Sequence, residues 1–148
     1  MKILFISAAN PCLSVMAAAI LRSINPLLSV SAADIHPEAK MHPKALEVMT
    51  QSGLNVSEKD LMDHGVIADQ NFDFIITIGD GTSESVPHDM VPAKRRLHLG
   101  FRNPFSGYAG DEAARQQYYE LKEEMQTELD YFNRHFSPET LARSGAND

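Results

Sequence analysis

The chain opens with KILFI, an unbroken apolar run over residues 2–6. This run passes through SAANPC into a segment whose apolar residues change period. A continuous apolar run bounded by turn-forming residues is the pattern of a strand buried on both faces, as in a parallel sheet covered by helices. From Ser14 onward, Met16, Ala17, Ile20, Leu21 and Ile24 fall on one helical face; Ser14 is the expected N-cap, and Asn25-Pro26 ends the helix. A chain that turns from a buried strand into a helix points successive backbone N–H groups inward, where they can bind an oxyanion. Yet this loop has no glycine, lysine or arginine, and Cys12, the only cysteine of the chain, stands inside it.

The rest of the chain repeats the alternation. Residues 27–35 (LLSVSAADI) predict a second strand. Pro43 and Gly53 bracket a helix, and Ser57 with Asp60 resembles a weak capping box opening a short one. FDFIITI over 72–78 is the clearest strand, and RRLHL over 95–99 is a shorter fourth. Over 111–136, Tyr118, Leu121, Met125, Leu129, Phe132 and Phe136 recur at three and four residues, a single apolar stripe on a long closing helix. The pattern predicts an α/β three-layer sandwich, a four-stranded parallel sheet flanked by helices on both faces. One domain is expected over 1–136, with 137–148 as a flexible tail. Ligands of such sheets bind beyond the C-terminal ends of the strands, so the loops after Ile6, Ile78 and Leu99 should share one edge.

Composition narrows the function classes. A net charge of −7, with Lys94, Arg95 and Arg96 as the only basic cluster, argues against nucleic-acid binding. No apolar run is long enough to cross a bilayer and no secretory pattern opens the chain, so no membrane role and a cytoplasmic address are expected. One cysteine excludes an internal disulfide and cysteine-rich zinc sites, and Cys12 reads as a packing residue. The six histidines form no helical i, i+4 pair, so neither metal nor cofactor is expected.

The segment ISAANPCLSVMAAAIL resembles the loop VCTGNICRSPMAEAIF of the low-molecular-weight protein tyrosine phosphatases and the related thioredoxin-coupled arsenate reductases. Asn10, Cys12, Ser14, Met16, Ala17 and Ala19 match in place. HPKALEVMTQSGLNVS (42–57), FDFIITIGD and LHLGFRNPF (97–105) are similar to later segments of the arsenate-reductase branch, so the likeness runs over about residues 2–136. The resemblance implies a mechanism in three parts. A cysteine thiolate attacks, an arginine holds the equatorial oxygens, and an aspartate before a proline protonates the leaving oxygen.

All three parts are replaced. Ser7 stands at the nucleophile position, Leu13 at the arginine and Asn103, before Pro104, at the aspartate; Gly79 and Val86 occupy the positions of the arsenate-reductase relay cysteines. A Cys-to-Ser exchange is a common trapping substitution, but four further departures point to divergence rather than design. With no base expected beside Ser7, the residues read as a pseudophosphatase with a binding or regulatory role, its partner a small oxyanion or a protein. Two other classes fit: an active phosphatase or arsenate reductase by a non-standard route, and a structural or oligomerising protein that keeps the fold alone. The loop itself has two readings. Either the amides of Ala8, Ala9, Asn10, Cys12, Leu13 and Ser14 still bind an anion, or the loop is a relic turn. His98 is placed near the cleft, and Phe101, Phe105 and Tyr108 flank the Asn103-Pro104 loop, as lid contacts or as a partner surface.

Overall fold

The computed structural model describes residues 1–8, 10–36, 40–63, 66–67, 69–79, 93–102 and 110–136. Four parallel strands, β1 (Lys2–Ser7), β2 (Ser29–Asp34), β3 (Phe72–Ile78) and β4 (Ala93–Leu99), lie in the order β2-β1-β3-β4. Three long helices accompany them: α1 (Pro11–Ile24), α2 (Pro43–Gln51) and α3 (Gly110–Phe136). The α/β sandwich expected from the alternation of patterns is the fold.

β1 is continuous in sequence because it is buried on both sides. Ile3 and Phe5 face a large core shared with α1, α2 and α3, whereas Leu4 and Ile6 face a smaller cluster with Ala33, Ile67, Phe72 and Ile75. On the second face Ile67 and Met62 join this cluster; Val66 and Ile67 are helical and Met62 N–H donates to the Ala32 carbonyl at 2.8 Å. On the first face, every residue of α1 from Pro11 to Leu21 is buried, between the sheet and α3. The α3 stripe also faces this core, with Tyr118, Leu121, Met125, Leu129 and Phe132 buried and Phe136 packed at its end.

Element ends depart from the sequence pattern where local hydrogen bonds intervene. The second strand begins at Ser29 rather than residue 27, because Asn25 folds the chain into a turn. Its side chain accepts from Leu27 N–H at 3.2 Å and its carbonyl from Leu28 N–H at 3.2 Å, leaving Leu27 exposed. The fourth strand begins at Ala93 rather than residue 95; Ala93 pairs with Phe72, and Lys94 reaches Asp73 at 3.2 Å. α2 starts at Pro43 and stops at Gly53, whose φ of 82° is the left-handed conformation that glycine adopts without penalty. Ser57 N–H donates to Asp60 at 2.9 Å, the expected capping contact, over a single 3-10 turn at Glu58–Asp60.

Candidate functional site

The loop between β1 and α1 is shorter than its sequence pattern. α1 begins at Pro11, not after Ser14: Asn10 is the N-cap, its side chain accepting from Cys12 N–H at 3.2 Å and its carbonyl from Leu13 N–H at 3.1 Å. The expectation of Ser14 as N-cap is corrected for a local reason. Asn followed by Pro supplies a cap and a residue already set in helical φ that has no N–H to satisfy. The amides of Cys12 and Leu13, two of those expected to face an anion, are therefore engaged within the loop. Ala9 and its amide lie outside the described residues.

Ser7 is fully buried at the end of β1. Its hydroxyl donates to Asp34 Oδ2 at 2.7 Å and lies 2.8 Å from Ser14 Oγ, with the Ala33 carbonyl at 3.4 Å. Ser14 in turn lies 3.3 Å from the Pro11 carbonyl. Asp34 is itself 3% exposed, and its other oxygen accepts from His36 N–H at 2.8 Å. The expectation that Ser7 has no base beside it is thus overturned. Parallel pairing sets Ser7 opposite Asp34 at the C-terminal ends of β1 and β2, and the two side chains meet there. The signal in the sequence was an aspartate ending a buried strand; only the register joins it to Ser7.

Leu13 is 3% exposed and belongs to the core rather than to an open cradle. Cys12 is equally enclosed: its sulfur accepts from His42 N–H at 3.1 Å, and the His42 ring packs on Tyr118 with centroids 5.4 Å apart. Burial above all, then the neighbouring Cys12 sulfur, pushes the Tyr118 phenol well above its ordinary pKa, with a hydrogen bond to Asn10 acting the other way. His42 also caps α2, its Nδ1 accepting from Lys44 N–H at 3.0 Å.

The other positions singled out in the sequence that the structure describes stand at the ends of β3 and β4. Gly79, just after β3, donates its N–H to the Leu99 carbonyl at 2.9 Å and has φ of 103°, where a cysteine side chain would be strained. Phe101 is buried in the main core, as a lid contact would be, and His98 Nδ1 lies 2.8 Å from Thr77 Oγ1. Asn103, Pro104, Phe105, Tyr108, Val86 and the tail at 137–148 lie outside the described residues. Among the described residues no group of three or more His, Cys, Asp or Glu side chains converges as metal ligands would, and no helix is long and apolar enough to cross a membrane.

Residues 2–141 match the family model of the low molecular weight phosphotyrosine protein phosphatases. The chain belongs to that family. Solved structures agree on the fold. An arsenate reductase from Archaeoglobus fulgidus is 23% identical, covering 86% of this chain and 98% of its own, with a TM-score of 0.61. An arsenate reductase in its phosphate-binding state is 18% identical over 92% of this chain and 98% of its own, with a TM-score of 0.72. The C7S mutant of the arginine phosphatase YwlE, with a phosphorylated active-site serine, is 19% identical over 92% of this chain and 98% of its own, with a TM-score of 0.60. No curated protein matches the sequence.

Proposed function

We propose that this chain is a non-catalytic member of the phosphatase family, a pseudophosphatase that acts by binding. The observation that carries the reading is the buried hydrogen bond from Ser7 to Asp34. It puts a carboxylate beside Ser7, the residue an incoming oxyanion would have to approach, while Leu13 brings no positive charge to oppose it. Two like charges about 4 Å apart repel by roughly 4 kcal/mol at an effective dielectric of 20. In this reading the amides of Cys12 and Leu13 are held by Asn10 rather than offered to an anion. The test is turnover of p-nitrophenyl phosphate, and of arsenate with thioredoxin, against a blank without protein, together with a thermal shift in phosphate, sulfate and arsenate. The reading expects blank rates and no specific stabilisation. Turnover above the blank would sink it.

The same hydrogen bond favours a second reading, in which Asp34 polarises Ser7 as a phosphoryl acceptor. A serine in the active site of the related YwlE mutant carries phosphate. In such a step the Ser7 oxygen would bond to phosphorus, its proton would pass to Asp34, and the donor's leaving group would depart with the bonding pair. Mass spectrometry after incubation with acetyl phosphate decides between the two: a phosphoryl adduct on Ser7, absent in Asp34→Asn, supports the second and no adduct supports the first.

A further inference from the structure

A separate cleft lies between the outermost strand and the closing helix. About 510 Å³ in volume, it is lined by His98, Leu99, Gly100 and Phe101 at the end of β4 and by Glu124 and Glu128 on α3. The two walls differ in chemistry. Leu99 packs against the core and Phe101 is buried in it, so the strand side offers apolar surface. The helix side offers two exposed carboxylates one turn apart.

Four acids of the same helix, Asp111, Glu120, Glu124 and Glu128, are in no ion pair among the described residues, and of these only the last two line the cleft. Glu112 is paired with Arg115, Glu123 with Lys122 and Asp130 with Arg134. Among the described residues neither Glu124 nor Glu128 is in an ion pair, although like charges at i, i+4 repel. Two cations of β4 are engaged elsewhere. Arg95 lies over the Phe74 ring, 5.8 Å from its centre, Lys94 reaches Asp73, and Arg102 is exposed.

We propose that this cleft docks a basic side chain, lysine or arginine, presented by a protein partner. The aliphatic stem lies along Leu99 and Phe101, and the charged head sits between Glu124 and Glu128, where it relieves their repulsion. Long basic side chains suit such a surface because stem and head have opposite preferences. The cleft is more than large enough for one of them together with the backbone that carries it. The proposal does not rest on the state of the Ser7 loop and holds whether or not that loop turns over.

The chain contains no tryptophan, so a synthetic tetralysine peptide carrying one tryptophan reports its own binding by fluorescence. Saturable binding at low ionic strength is expected, weakening as salt is added. Glu124→Gln/Glu128→Gln should lower the affinity about fivefold or more. Asp111→Asn/Glu120→Gln, which removes the same charge elsewhere on α3, should leave it close to that of the parent. A circular-dichroism melt of each variant checks that the fold is kept. Absence of saturable binding overturns the proposal, and so does an equal loss in both double variants, because net charge alone would then account for the attraction.

Discussion

The β1–α1 loop and the β4–α3 cleft place carboxylates in opposite circumstances. Asp34 is buried and accepts from the Ser7 hydroxyl and the His36 N–H. Glu124 and Glu128 are exposed at an open cleft and lack ion pairs among the described residues. The first arrangement spends its hydrogen-bonding capacity inside the molecule, and the second keeps it for something outside. In this chain Ser7, Ser14 and Asp34 are joined by buried hydrogen bonds where β1, β2 and α1 meet.

The comparison can be broken most severely at Leu13. Restoring the family's arginine by Leu13→Arg puts a guanidinium into the core, and unfolding in urea should show a loss of about 3 kcal/mol or more. A stable variant that gained phosphate binding would instead show that the loop is still a cradle. Asp34→Ala removes the acceptor of one buried and one partly buried hydrogen bond and should cost about 2 kcal/mol in the same measurement. A neutral result would mean that the network contributes little to holding the loop shut. Asn10→Ala tests the early start of α1, with an expected loss of about 1 kcal/mol. Glu124→Gln/Glu128→Gln should go the other way, raising stability by a few tenths of a kcal/mol, about 0.3, as the i, i+4 repulsion is removed. Opposite signs for Asp34 and for the glutamate pair are the sharpest form of the contrast.

The smallest effect concerns pH. Hydrogen bonds from Lys44, on the same helix, and then from Arg115, which ties α2 to α3, hold the Glu47 carboxyl below its ordinary pKa. A carboxylate whose folded pKa is depressed contributes stability that is present above its unfolded pKa and lost as pH falls through the folded value. Melting temperatures followed from neutral into acid should therefore decline slightly less steeply for Glu47→Gln than for the parent, the difference staying small because the pair is solvated.

Read from the residues alone, the chain already carried its architecture. The apolar run of β1, the period change into α1, the Pro43 and Gly53 brackets of α2 and the six-residue stripe of α3 are local patterns, and local patterns survive into the fold because burial acts on periodicity. Ser7 and Leu13 were also legible as departures from the loop pattern that the chain resembles. Three things were decided only in three dimensions. Parallel register, which no local pattern encodes, set Asp34 beside Ser7 across 27 residues of chain. Competition among caps at a single helix end let Asn10-Pro11 win over Ser14 and turned part of the loop into helix. The packing of α3 against the end of β4 brought Glu124 and Glu128 beside Leu99 and Phe101, residues far apart in sequence whose joint chemistry appears only once the sheet and the helix meet.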